Sequence, residues 1–258
     1  MRFSENVDQS IPTVGSPTIS VVVPFFNEKQ RLGQTLPAII GLANSEVEVV
    51  LVDDGSTDGS SEVLREAASK AANVHFHQLE RNSGKGAAVR AGVSLTSGSK
   101  VVFMDADLAT DLTCLPQLVE ALERAEVAIG SRSNVAAELH EASRLRSSMG
   151  GLFNKATRKV TGLKYSDTQC GFKAFHGNLA RQLFALGRID GFAFDVEILL
   201  FAQVAGMHIE EVPVRWTEKK GSKVRFGIDP MKMLWDLFQI RRWVNRNSDV
   251  IIKSLSST

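Results

Sequence analysis

With 258 residues, of which 43% are hydrophobic and 23% charged, the chain can form one large α/β domain around a buried core. A formal net charge of +1 gives no global pull toward nucleic acid or membrane, so any basic surface must be local. Two cysteines, Cys114 and Cys170, lie far apart and outside any Cys/His cluster, which excludes a disulfide framework or structural zinc and fits a reducing cytosol.

Residues 1–17 are polar, carry Glu5 and Asp8, lack the apolar core of a signal peptide, and are expected to be a disordered tail. From there short β-branched runs alternate with helical patterns. The spacing predicts strands at Ile19–Pro24, Val47–Asp53, Val74–Leu79, Val101–Asp105 and Val127–Gly130. Helices are expected at Glu28–Ala43, Ser60–Ala71, Lys85–Leu95 and Leu115–Arg124. Alternation of this kind predicts a Rossmann-like, mostly parallel sheet with flanking helices. The second half is less regular, with helices over Arg144–Val160 and Phe192–Ala205 and a strand over His208–Trp216. Asp229-Pro230 is an N-cap followed by proline, so a C-terminal helical extension should run to about Asn245. The expected organisation is a catalytic domain over 18–226 and an amphipathic helix and tail over 227–258. No stretch reaches the roughly 18 uncharged apolar residues that a spanning helix needs, so the expected protein is soluble or peripheral.

Ligands of such sheets bind beyond the carboxyl ends of the strands. Here those ends carry Pro24-Phe25-Phe26-Asn27-Glu28, Asp53-Asp54-Gly55-Ser56, Asp105-Ala106-Asp107 and Gly130-Ser131-Arg132. The two carboxylates Asp105 and Asp107 can both face one hard divalent cation that bridges a nucleotide diphosphate. An acidic turn is the alternative for that motif. Asp53 and Asp54 can accept hydrogen bonds from a base or ribose, or shape a turn before a helix. Arg81-Asn82-Ser83-Gly84-Lys85-Gly86 can cradle a phosphate through backbone N–H groups, or form a turn; it lacks the ending of a Walker loop. Asp195 and Glu197 stand in an apolar helix, where carboxylates need partners.

In this order Val-Pro-x-x-Asn-Glu, Val-Asp-Asp-Gly-Ser-x-Asp, Gly-Lys-Gly, Asp-Ala-Asp and Gly-Ser-Arg resemble the inverting family 2 glycosyltransferases with the GT-A fold, over about Ile19 to Lys223. Asp167 to Lys173, Phe194-Asp195-Val196-Glu197 and Trp216-Thr217-Glu218 with Gly221-Ser222-Lys223 look like the dolichyl-phosphate β-glucosyltransferases. More loosely they resemble the dolichyl-phosphate mannosyltransferases and bacterial polyprenyl-phosphate glycosyltransferases. The resemblance implies metal-dependent, inverting transfer of a sugar, UDP-glucose being favoured as donor, to polyprenyl or dolichyl phosphate, giving a β-linked lipid phosphosugar. UDP-N-acetylhexosamine or GDP-mannose as donor, or a saccharide acceptor with Asp195 or Glu197 as general base, are the alternatives. A nucleotidyltransferase and a phospho-receiver domain fit the motif order and length less well.

By resemblance Pro24, Phe26, Asn27, Glu28, Asp53, Asp54, Lys85, Asp105 and Ala106 would bind the nucleotide, and Asp105 and Asp107 would hold Mg²⁺ or Mn²⁺. Arg132, Arg146 (or Arg144) and Lys223 would face the donor and acceptor phosphates. Two departures stand out: no apolar N-terminal anchor like that of the eukaryotic enzymes, and no glutamine two residues after Asp107. A lipid acceptor implies peripheral contact with the cytosolic face of a membrane. The expected surfaces are the Arg144–Val160 helix and a face with Met231, Met233, Leu234, Leu237, Phe238, Ile240, Trp243 and Val244 beside Arg241, Arg242 and Arg246. Packing on the core or in a homodimer is the alternative for that helix.

Overall fold

A computed structural model describes residues 17–132, 144–219 and 228–256; for 144–150, 152 and 228–230 it describes the backbone alone. Lys223 and nearly all of the N-terminal tail lie outside the described residues.

The first half follows the predicted alternation: β1 (Ile19–Phe25), α1 (Lys29–Ile40), β2 (Val47–Asp53), α2 (Ser60–Lys70), β3 (Val74–Gln78), α3 (Lys85–Ser94), β4 (Lys100–Met104), α4 (Leu115–Glu120) and β5 (Val127–Ser131). The second half adds α5 (Arg144–Thr161), β6 (Phe172–His176), α6 (Gly177–Leu186), α7 (Phe194–Val204), β7 (Ile209–Pro213) and α8 (Ile228–Leu255). The strands form one sheet in the order β3-β2-β1-β4-β6-β5-β7. All run parallel except β6, which is antiparallel to both neighbours, β4 and β5.

Both faces of the central strands are covered, which is why β1 and β2 are rich in buried valine. Alternation divides them: Val22, Val50, Val52 and Phe103 pack with α3, α6, α7 and α8, whereas Val21, Val23, Leu51 and Met104 pack with α1, α2 and α4. On the first face Phe103, Phe175, Phe184 and Phe194 interlock, with centroids from 5.5 Å to 6.4 Å apart.

Two elements were not predicted from the sequence. β6 is five residues long and carries a buried lysine at its second position, so it breaks the apolar pattern of a central strand. α6 starts immediately after it, at Gly177. α8 also runs past Asn245. Its geometry breaks at Asn247 (φ −127°, ψ 19°), and the chain continues because Ile251 and Leu255 bury into the core.

Candidate active site

The chain reverses its direction of winding at β1, which pairs with β2 on one side and β4 on the other. The crevice beyond the carboxyl ends of these strands is where an open α/β sheet binds ligands. Pro24 lies past the end of the β4 pairing, so its missing N–H deprives the sheet of nothing on that side. A second concavity, around Gly177 and Arg181, opens at the opposite edge. There the Arg181 guanidinium is already bonded to Thr96 and Gly98 carbonyls, and no catalytic motif faces it.

The loops after β1 and β2 form one wall of the crevice. Asn27 takes a left-handed backbone (φ 52°), a conformation asparagine tolerates well. Its Oδ1 accepts the Thr57 N–H at 2.9 Å, and its own N–H donates to Ser56 Oγ at 2.8 Å. The Glu28 and Lys29 N–H groups donate to Ser60 Oγ and Asp58 Oδ2, both at 3.0 Å. The first turn of α1 is thereby tied to the loop that starts α2. Pro24, Phe26, Asn27 and Glu28 are half-buried on this wall, and Glu28 pairs with Arg31 at 3.1 Å.

Asp53 and Asp54 are turned into the scaffold. Asp53 is fully buried and accepts the Ser56 N–H at 3.2 Å together with the hydroxyls of Ser56 and Ser61. Asp54 accepts the N–H groups of Ser83 at 2.7 Å and Gly84 at 2.9 Å, while burial pushes its pKa up. The next N–H groups, of Gly86 and Ala87, go to the Asp190 carbonyl at 2.7 Å and 3.3 Å. A Cβ at Gly86 would lie 2.4 Å from the Ile189 carbonyl oxygen, so the glycine permits this close packing. These four N–H groups of the glycine-rich segment are thus engaged within the protein and do not form a phosphate cradle.

The side chain of Lys85, by contrast, reaches the crevice. Its ammonium lies 2.6 Å from Asp105 Oδ1 at the end of β4. Burial works against that charge, but Asp105, Asp195 and Asp107 together hold the Lys85 pKa above its ordinary value. Asp107 is half-buried, and its pKa is pushed up by burial first and by the Asp105 charge second; the Ala109 N–H donates to it at 3.0 Å. Between them Ala106 is buried, and Leu108 takes a left-handed backbone (φ 51°), a strained conformation of the kind that collects at functional turns.

Below this turn a buried ion pair supports the site. Lys173, in β6, lies 2.6 Å from Asp195 Oδ1 and 2.6 Å from the Cys170 carbonyl, and its ammonium sits 5.2 Å over the Phe103 ring. That strand brings Gly171 against Asp105. The Asp105 N–H donates to the Gly171 carbonyl at 3.0 Å, and a Cβ at Gly171 would lie 2.1 Å from Asp105 Oδ2. The cluster of Asp105, Asp107 and Asp195 with Lys85 and Lys173 holds three carboxylates against two ammoniums. Two carboxylates at its open end, in excess of their cations, are a donor set suited to a hard divalent ion.

Arg132 closes the far side. Its fork grips Asp167 through Nε at 2.6 Å and Nη2 at 2.9 Å, and its guanidinium stands 5.5 Å over Trp216. Trp216 is held there by a bridge to Thr110, two residues beyond Leu108. Burial favours neutral groups here, yet each partner stabilises the charge of the other, raising the Arg132 pKa and lowering that of Asp167. Glu197 is buried and accepts the N–H groups of Arg188 and Ile189, both at 2.9 Å, so it braces the loop that packs on Gly86. The backbones of Arg144 and Arg146 lie in the first turn of α5; their side chains, like Lys223, fall outside the described residues.

Lys173 and Gly171 were quoted above only as parts of a motif, without a role. A lysine inside the apolar run Phe172–Phe175, together with a lone aspartate in an apolar helix, is the sequence signal for such a pair.

Comparison with known proteins shows the family. The family model for glycosyl transferase family 2 matches residues 20–184. The chain is 35% identical to a dolichyl-phosphate beta-glucosyltransferase of Dictyostelium discoideum, with 93% of this chain and 78% of that protein covered. Against the dolichyl-phosphate beta-glucosyltransferase of Mus musculus it is 36% identical, with 90% and 78% covered. Among solved structures, glucosyl-3-phosphoglycerate synthase from Mycobacterium tuberculosis in complex with UDP superposes with a TM-score of 0.65 at 21% identity, covering 88% of this chain and 80% of that one. That likeness carries the GT-A fold. On fold, motif order and sequence similarity together, the chain belongs to glycosyl transferase family 2 and is a glycosyltransferase.

Proposed function

We propose that this enzyme transfers glucose from UDP-glucose to a polyprenyl phosphate of the dolichyl type and yields a β-linked lipid phosphosugar. The observation that carries the reading is 35% identity to a dolichyl-phosphate beta-glucosyltransferase across 93% of the chain. The acidic and basic cluster at the switch point supports it. A synthase of the same fold has been crystallised with Mn²⁺, UDP-glucose and phosphoglyceric acid.

The wall of Pro24, Phe26, Asn27 and Glu28 offers half-buried surface to the nucleoside, and Asp53 and Asp54 hold that wall in shape from behind. Lys85 is the cation closest to Asp105 and is assigned to the donor diphosphate. A Mg²⁺ or Mn²⁺ ion held by Asp105 and Asp107 would neutralise charge on that diphosphate and stabilise UDP as the leaving group. Arg132 lines the opposite side, with Asp167 fixing the direction of its fork. Arg146 and Lys223 are assigned to the phosphates on sequence grounds.

A phosphate acceptor has a second pKa of about 6 and is already anionic at neutral pH, so it needs no general base. The acceptor oxygen forms its bond to the anomeric carbon as the bond to the diphosphate breaks, and UDP leaves with the electron pair. Attack from the opposite face converts an α-linked donor into a β-linked product. A saccharide hydroxyl would need a base. Both carboxylates suggested for that task are buried and committed, Asp195 to Lys173 and Glu197 to two backbone N–H groups. This favours the phosphate acceptor.

The deciding experiment supplies labelled UDP-glucose, UDP-N-acetylhexosamine or GDP-mannose together with a short polyprenyl phosphate and Mn²⁺. Label is expected in the organic phase from UDP-glucose alone, and it should disappear when the metal is chelated. Organic-phase label from another donor corrects the sugar; label found only in a water-soluble product rejects the acceptor. A second prediction concerns the seat of Asp105. Gly171→Ala puts a methyl group where the carboxylate now lies, so transfer should fall on the order of 100-fold. Weaker Mn²⁺ binding, measured by titration without donor, should accompany that fall. Unchanged Mn²⁺ affinity would show that Asp105 does not need this seat.

A further inference from the structure

One side of α8 is core. Met233, Leu237, Ile240, Val244, Ile251 and Leu255 are all buried. Trp243, expected on the surface face, instead packs on Phe201 with centroids 5.3 Å apart and Arg188 above it, and Arg241 donates to the Thr161 carbonyl at 3.1 Å. These contacts attach the helix. They leave a second face exposed among the described residues.

Among the described residues, all the large exposed hydrophobic side chains except Leu95 lie on α8. Met231 is 74% exposed, Trp235 65% and Phe238 59%, with Leu234 beside them. At about 100° per residue these four span roughly 100° of the helix, and Arg242 and Arg246 continue the same stripe. The exposed charges from Met231 to Arg246 are Lys232, Arg242 and Arg246, all positive, whereas the one acid in that stretch, Asp236, is buried. Asp236 faces inward, 3.9 Å from where a Cβ of Gly191 would stand. The first turns of α8 therefore lie next to the loop whose Asp190 carbonyl holds Gly86, one residue from Lys85.

We propose that this face of α8 docks on an anionic lipid bilayer. Trp235, Phe238, Met231 and Leu234 enter the boundary between headgroups and acyl chains, and Lys232, Arg242 and Arg246 meet lipid phosphates. A second copy of the chain fits less well. A twofold pairing of the Met231–Arg246 stretch would oppose like charges, the nearest exposed acid among the described side chains of the helix being Asp249, beyond the break at Asn247. The inference rests on the lipid-phosphate reading for its purpose, since it places the crevice mouth beside the phase that holds such an acceptor. Among the described residues no helix is long and apolar enough to cross a membrane, so contact through this face is interfacial.

The test is co-sedimentation of the full chain with phosphatidylcholine vesicles, with and without phosphatidylglycerol, at low and high salt. Binding is expected to the anionic vesicles at low salt and release at high salt. Trp235→Gln with Phe238→Gln should weaken it at least about tenfold, and Arg242→Gln with Arg246→Gln should remove the preference for phosphatidylglycerol. Sedimentation of the aromatic variant equal to that of the unaltered chain would overturn the proposal. So would a vesicle-free dimer that the aromatic substitutions dissociate. All proteins are also assayed with a water-soluble short polyprenyl phosphate, where the variants should match the unaltered chain. Transfer without vesicle binding rejects the surface alone; vesicle binding without transfer to any polyprenyl phosphate rejects the acceptor alone.

Discussion

Asp107→Ala is expected to lower sugar transfer at least about 1000-fold while leaving the fold as stable as before or slightly more so. The two halves of that expectation have one cause. The Asp107 pKa is raised by burial and by the neighbouring Asp105 charge, so its ionised form costs the folded state free energy at neutral pH. An alanine relieves that cost and removes a proposed metal ligand. Stability given up for function is a recognised signature of active sites. Turnover with Mn²⁺ and a thermal melt of the same sample check both halves. Near-full turnover would end the metal assignment, and a strongly lowered melting temperature would make Asp107 a structural residue.

The second large effect lies one layer deeper. Lys173→Met leaves Asp195 buried without its cation and strips the Cys170 carbonyl of a donor at 2.6 Å. Removing one partner of a buried pair costs about 3–5 kcal/mol, because the remaining charge keeps its desolvation penalty. Replacing both partners with apolar groups avoids that penalty, so Lys173→Met with Asp195→Leu should recover at least about 2 kcal/mol of it. Urea unfolding of the single and double variants measures the difference. If the two unfold alike, the charges are not coupled. Transfer should remain impaired in the double variant, since Asp195 also helps hold the Lys85 charge.

The sequence was most informative where chemistry and strand ends coincide. Val21–Val23 and Val49–Val52 are buried, valine-rich runs that stop at polar motifs, a pattern suited to strands covered on both faces. Asp105 and Asp107 were legible for the same reason. Less visible was which acids face the crevice and which hold the scaffold. Asp53 and Asp54 look alike in a motif, yet one is saturated by Ser56 and Ser61 and the other by the backbone of Ser83 and Gly84. Ser56 stands in the same motif, but Ser83 and Gly84 lie about 30 residues on, and no local pattern names them. Arg132 is similar: its position followed from Gly-Ser-Arg, but its fork is claimed by Asp167, 35 residues on. On α8 the apolar residues were recognised without being sorted, because helical spacing gives a face and only packing tells which face is covered. Trp243 proved partly buried against the core, while Trp235, absent from the expected face, is the more exposed of the two.

The antiparallel strand β6 has a consequence for how the enzyme comes into being during synthesis. It stands between β4 and β5, although both precede it in the chain. A nascent chain that has emerged only through β5 can join β1, β2, β3 and β4, but the outer edge of β4 is still open and β5 has no sheet to enter. An unpaired apolar edge of this kind is prone to wrong pairing. The wall built by the loops after β1 and β2 can thus form early, whereas Asp105 waits for Gly171 and Lys173 to arrive from the second half. The N-terminal half thus lacks the strand that joins β4 to β5, and the turn at Asp105 gains its seat only when that late strand slots into place.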